Sequence, residues 1–286
     1  MKANRLDYPL AVMCRVFGVS RSGYHVWCNR KPSKRAQEEL RLEVAIRAAH
    51  DKTRQSYGPE RLQKELAAEG FEVGIGRIKR IRKKLRIRCR QKRKFKATTN
   101  SKHVLPVAAN LLQDRQPVGK PNEVWVTDIT YIPTDEGWLY LAGVKDRYTC
   151  EIVGYAMGER MTKDLVGQAL FQAVSTKRPL PGLIHHSDRG SQYCSYDYQR
   201  MLSQFCMQVS MSRKGNCYDN AAMESFWGTL KNELVHHRRF ATRQQAIREI
   251  TEYIEIFYNR QRRHSSLGYV SPAIFTRNYY KETRAA

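Results

Sequence analysis

No stretch of this 286-residue chain offers about 18 consecutive apolar residues, so no membrane-spanning helix is expected. The opening Met1-Lys2-Ala3-Asn4-Arg5 leads into no apolar segment long enough for a secretion signal. The seven cysteines are an odd, scattered set: Cys14, Cys28, Cys89, Cys150, Cys194, Cys206 and Cys217, with no Cys-x-x-Cys pair. This excludes a disulfide frame and a thiolate zinc site, and reads as the reduced thiols of a cytosolic protein. His185-His186 and His236-His237 have no cysteine partners at ligand spacing and are expected to be structural or DNA-contacting. Internal repeats are missing, as is any heptad run long enough for a zipper. Acid is scarce as well: 27 Asp and Glu stand against 51 Lys and Arg, a formal net charge of +24. A surplus of that size suits a protein that neutralises phosphates, although a ribosomal-type protein or a membrane-surface binder shares the composition.

What is present is a 41% hydrophobic fraction, enough for a core, and a change of period along the chain. Residues 1–32 read as a helix-turn-helix-like segment. Within residues 8–28 one short helix, a Gly18-Val19-Ser20 turn and a second helix capped by Ser20 and carrying Arg21 fit the pattern. Residues 36–90 read as a helical module, with Pro59 starting one helix and Gly70 ending it. Its third helix, Arg77 to Leu85, repeats Ile78, Ile81 and Leu85 on one side. Between Arg77 and Lys96 lie thirteen Lys or Arg and no acid. Such a run would repel itself unless a polyanion screened it, so Arg82, Lys83 and Lys84 are expected DNA contacts. Residues 91–120 read as a basic linker.

From 121 to 280 the pattern is α/β. Strands are expected over 124–132, 138–144, 151–157, 183–185 and 207–211, with a hairpin turn at Asp135-Glu136-Gly137. Helices are expected over 162–177 and 195–205, then a long helical tail from Ala221 with one or two breaks. Arg213 and Lys214 sit in a basic loop before that tail. The order β-β-β-α-β-α-β-α implies a mixed five-stranded sheet with helices on its faces.

Three acids stand in unusual company. Asp128 is inside the apolar, β-branched run Val124 to Ile132, Asp188 follows the short apolar run Leu183-Ile184, and Glu224 opens a helix. A carboxylate inside an apolar strand is rare unless it is paired or binds a cation. If the fourth strand lies beside the first, Asp128 and Asp188 converge and Glu224 reaches them from the side. Three converging carboxylates repel one another, and hard divalent cations relieve the conflict. Two Mg²⁺ ions, with Mn²⁺ able to substitute, would then serve an in-line displacement at phosphorus. Lys231, seven residues after Glu224 on the same helix face, could hold the phosphate.

These segments also carry a resemblance. Trp125-Val126-Thr127-Asp128-Ile129-Thr130-Tyr131-Ile132, His186-Ser187-Asp188-Arg189-Gly190-Ser191-Gln192-Tyr193 and Asp219-Asn220-Ala221-Ala222-Met223-Glu224-Ser225-Phe226 resemble catalytic blocks of insertion-sequence transposases with a retroviral-integrase-like core. The 35 residues between Asp188 and Glu224 fit the same pattern. Tyr258-Asn259 through Arg262-Arg263-His264 to Gly268-Tyr269, with Ser271-Pro272, resembles the C-terminal block of the group founded on insertion sequence three. Tyr57-Gly58-Pro59-Glu60-Arg61 resembles that group's helical DNA-binding module, with Pro59 and Glu60 departing from its usual residues. The resemblance implies a second-reading-frame product with a ribonuclease-H-like core over 121–280. It implies Asp128, Asp188 and Glu224 as metal ligands, cleavage at element ends, and attack of a 3′-hydroxyl on another strand. It further implies terminal inverted repeats and target DNA as partners, a homo-oligomer on DNA, an upstream-frame protein as fusion or partner, and a bacterial cytoplasmic, nucleoid-associated location. The cysteine–histidine zinc module of retroviral integrases has no counterpart. A DNA-binding regulator would leave the acids in strands unexplained. A recombinase using a tyrosine, Ser187 or Ser191 would form a protein–DNA adduct, and a nuclease would cut without joining.

Overall fold

The computed structural model describes residues 1–90, 107–113, 117–213 and 220–285. Runs of β-branched and aromatic residues set the strands: β1 (Val124–Thr134), β2 (Gly137–Asp146), β3 (Ile152–Gly158), β4 (Ile184–Ser187) and β5 (Gln208–Met211). Asp135-Glu136 joins β1 to β2 in a tight hairpin, and Gly137 supplies the positive φ of +104° that the turn requires. The sheet order is β3-β2-β1-β4-β5. The first three strands are antiparallel, whereas β4 lies parallel to both β1 and β5. β1 therefore occupies the centre, and this mixed sheet with flanking helices is ribonuclease-H-like.

Helices α6 (Lys163–Lys177) and α7 (Tyr196–Gln204) cover one face. Their core gathers Trp125, Ala142 and Val144 with Leu165, Ala169, Leu170, Tyr198 and Leu202. The other face packs Val124, Val126, Ile132, Leu139 and Leu141 against α8 (Ala221–Glu233), α9 (Arg243–Glu252) and the π-helical turn Tyr253–Gln261. Asp146 and Glu151 have structural roles. Asp146 accepts from the backbone of Asn122, Tyr148 and Thr149, and Glu151 pairs with Lys177 at 2.8 Å.

The N-terminal part contains α1 (Leu10–Val16), α2 (Arg21–Asn29), α3 (Lys34–Lys52), α4 (Pro59–Ala68) and α5 (Ile75–Lys84). Ser20 caps α2 by accepting from Gly23 N at 3.0 Å. Helices α3 to α5 own a separate core of Leu42, Ile46, Tyr57, Leu62, Leu66, Ile78 and Ile81. Of the expected linker, residues 91–106 and 114–116 lie outside the described residues. The described piece runs beside β5: Leu111 N donates to Ser210 Oγ at 2.9 Å, and Ala109 O accepts from Met211 N at 3.3 Å.

The tail is more divided than the sequence implied. After α8 come a 3₁₀ turn (Val235–His237), α9, the π-helical turn, a second 3₁₀ turn (Ser265–Leu267) and α10 (Pro272–Ala285). Asn259 explains the π-helical turn, since it pairs with both backbone groups of Ile152 on edge strand β3, at 3.0 and 2.9 Å. A side-chain amide thereby satisfies a strand position with no neighbouring strand.

Candidate catalytic site

Val126 on β1 pairs in register with His186 on parallel β4. Asp128 and Asp188 each come two residues later on these neighbouring chains, and the charge of Asp188 is felt at Asp128. Asp188 lies just past the end of β4 and accepts from Gly190 N at 2.9 Å. Arg189 Nε donates to Ser212 O at 2.7 Å, fixing this loop to the chain leaving β5. His186 is fully buried between the hydroxyls of Ser210 (2.8 Å) and Ser212 (3.0 Å). His185 meets the Tyr198 hydroxyl at 3.0 Å, and burial pushes its pKa down to about 3. Both rings are structural, which decides between the two roles open to them.

Asp128 is half-buried. One carboxylate oxygen accepts from Ile129 N at 2.8 Å and the other from the Trp227 indole at 3.0 Å. Burial pushes its pKa up to about 7, the negative charges of Asp188 and Glu224 push the same way, and the two hydrogen bonds oppose them. Glu224 stands in the first turn of α8. Two ties hold that turn to the sheet: Lys145 Nζ donates to Ala222 O at 2.9 Å, and Asn220 Nδ2 donates to Thr127 O at 3.3 Å. Asn220 stands at the N-cap position of α8 but does not cap it with its side chain. Among the described residues, no three His, Cys, Asp or Glu side chains are drawn close enough to hold a metal ion between them. The three acids meet through their fields at Asp128.

Lys231 stays on the same side of α8. Its ammonium lies 4.9 Å from the centroid of the Tyr131 ring, three residues along β1 from Asp128. Burial lowers its pKa, while the nearby Tyr131 and Asp128 pull the other way. Gly228 lies between Glu224 and Lys231, and a Cβ built there would meet nothing within 4 Å. The helix is bare at that point.

Comparison with known proteins fits this arrangement. Two models of the integrase core domain match residues 119–217 and 206–272, and an HTH-like domain model matches residues 36–95. The 31 kDa protein of insertion element IS600 from Shigella sonnei is 63% identical over 269 residues, covering 94% of this chain and 99% of that protein. The transposase InsF for insertion sequence IS3A from Escherichia coli is 39% identical over 277 residues, 96% of each chain. This chain belongs to the IS3 family of transposases. Among solved structures, the HTLV-2 integrase catalytic core domain in complex with magnesium is similar at 18% identity and a TM-score of 0.40, covering 51% of this chain and 91% of that one.

The HTH-like model thus falls on the α3–α5 module of this IS3-family transposase, the stretch that resembles the group's helical DNA-binding module. Within the module Arg82 departs from expectation. It is 8% exposed and its guanidinium donates to Cys89 Sγ at 3.3 Å, so it faces inward. Its spacing contains the signal, because 78, 81, 82 and 85 form one helical face. Lys83 is exposed, and Lys84 is exposed but paired with Glu43. Arg21 and Arg213 are exposed, and Lys214 lies outside the described residues. Sequence reasoning passed over Trp227, although an indole three residues after Glu224 shares its helix face.

Proposed function

We propose that this transposase cleaves DNA at the ends of its element and joins the freed 3′-hydroxyl to a target strand by in-line displacement, with no covalent protein intermediate. The observation that carries the proposal is the half-buried Asp128 carboxyl, its two oxygens held by Ile129 N and the Trp227 indole and its pKa raised to about 7 by burial and by the charges of Asp188 and Glu224. A carboxyl so placed is costly to ionise and gains most from a counter-cation. The donors are all oxygens, which suits a hard cation such as Mg²⁺ or Mn²⁺, and Asp128, Asp188 and Glu224 are the residues that would hold it. When bound, two such ions supply charge neutralisation at the attacking and leaving oxygens. In each step a new O–P bond forms as the opposite P–O bond breaks. The attacker is water in cleavage and the 3′-hydroxyl in joining.

The remaining residues bind and orient the DNA. Lys231 offers its charge to the phosphate beside the carboxylates, and the bare surface at Gly228 lets a sugar–phosphate backbone approach α8. The basic helical module and the exposed Lys83, Arg21 and Arg213 supply sequence-independent attraction to terminal repeats and target. Bringing two ends together calls for at least a dimer on DNA, with an upstream-frame protein as fusion or partner.

The test incubates the full chain with labelled element-end DNA and Mg²⁺. Nicked and joined products are expected on a denaturing gel, with no band of protein attached to DNA. Asp128→Asn, Asp188→Asn and Glu224→Gln are each expected to lower both reactions at least about a hundredfold while retention on DNA persists. Near-native joining by any one of them rejects the assignment.

A further inference from the structure

Glu224, Trp227 and Lys231 fall at i, i+3 and i+7 of α8, on one side of the helix. Trp227 is 5% exposed. A buried indole N–H ordinarily finds some acceptor. Here the acceptor is a carboxylate oxygen of Asp128 at 3.0 Å, while Asp128's other oxygen is held by Ile129 N at 2.8 Å. A carboxylate oxygen accepts two hydrogen bonds, so each of the two keeps one lone pair to offer.

The indole has a seat. Directly across the β1–β2 ladder from Asp128 is Gly143. A Cβ at Gly143 would stand 2.9 Å from Trp227 Cη2, closer than side chains approach, and a tight 3.1 Å from Met223 Cε. Glycine weakens the interior of a strand, so its presence opposite Asp128 answers a need for space. The hydroxyl of Thr127 donates to Gly143 O at 2.8 Å and fixes the seat beside the carboxylate. A phenylalanine would keep an aromatic ring of smaller volume there without a donor.

We infer that Trp227 is a positioning residue: seated on Gly143, its indole N–H fixes the orientation of the Asp128 carboxylate and presents one lone pair of each oxygen to a divalent cation. This rests on the reading of Asp128 as a metal ligand. Partners of that kind typically contribute 10–100-fold to metal affinity.

The test titrates Mn²⁺ into the full chain, counting free ion by electron paramagnetic resonance. It also follows the indole ¹⁵N–¹H signals by NMR as Mg²⁺ is added. Wild type is expected to bind Mn²⁺. Trp227→Phe is expected to bind it about 10–100-fold more weakly, with circular dichroism and DNA retention unchanged. Gly143→Ala keeps the indole but crowds it, and is expected to weaken binding in the same direction. The indole signal missing from Trp227→Phe is expected to move with Mg²⁺ in wild type and to stay still in Asp128→Asn. A folded Trp227→Phe with wild-type Mn²⁺ affinity overturns the inference, and so does a Trp227 signal indifferent to Mg²⁺. A wild type that takes up no Mn²⁺ overturns the metal reading beneath it instead.

Discussion

Asp128 is the residue through which the chain states its chemistry. Its raised pKa has a sign that can be worked out. The folded chain holds this proton more tightly than the unfolded chain, whose carboxyl titrates near the ordinary 3.8. The stability it contributes is therefore complete below about pH 4 and is lost as pH rises to about 7. In a chelator at pH 8, Asp128→Asn is expected to melt above wild type. Each kcal/mol of relief is worth about 2–4 °C in a chain this size. Calorimetry at pH 5 and pH 8 checks this, and an equal difference at both pH values would sink it. The acid was legible in the sequence because a carboxylate among Val124, Val126, Ile129 and Ile132 is expensive unless it is used. Trp227 was not, since a tryptophan on a helix's inner face looks like ordinary core until its nitrogen is seen to meet Asp128.

At the scale of elements, the strands could be read from β-branched runs and Gly137, while β4 beside β1 was only the condition under which two acids would converge, and its parallel direction came from the structure. The π-helical turn could not. Ile254, Phe257 and Tyr258 repeat at i, i+3 and i+4, the same spacing an α-helix uses, and only Asn259 engaging Ile152 reveals the wider turn. That turn also presents Arg262, whose guanidinium forks onto Glu233 of α8 at 2.9 Å, with both side chains buried. Burial lowers the Arg262 pKa, but Glu233 more than compensates and the net shift is upward. Removing one partner strands the other charge indoors. Arg262→Ala is expected to cost about 3–5 kcal/mol. A denaturant midpoint within 0.5 kcal/mol of wild type would show the pair to be idle.

Across the whole molecule, the basic surplus and the helical module announced DNA, but the contacts that join module to core were illegible. Arg263 and Glu65 are 198 positions apart and look like surface charges, yet they meet at 2.7 Å. Beside them the Tyr57 hydroxyl accepts from Arg263 N at 2.6 Å, and Tyr269 donates to Glu60 at 3.1 Å. Glu65→Gln and Arg263→Ala are each expected to weaken this junction by about 1–3 kcal/mol, and together by less than the sum. Strict additivity in a double-mutant cycle would deny the contact its role. For DNA binding, Lys83→Ala is expected to reduce the salt slope by about one, whereas Arg82→Ala acts through module stability and leaves the slope intact. Filter binding across a range of KCl separates them. The junction also changes what damage near the end of the gene would mean. A stop codon just after Gln261 would spare Asp128, Asp188 and Glu224, yet remove Arg262, Arg263 and Tyr269, and with them the partners of Glu233, Glu65 and Glu60. Such a chain would lose a brace of its core together with its hold on the module.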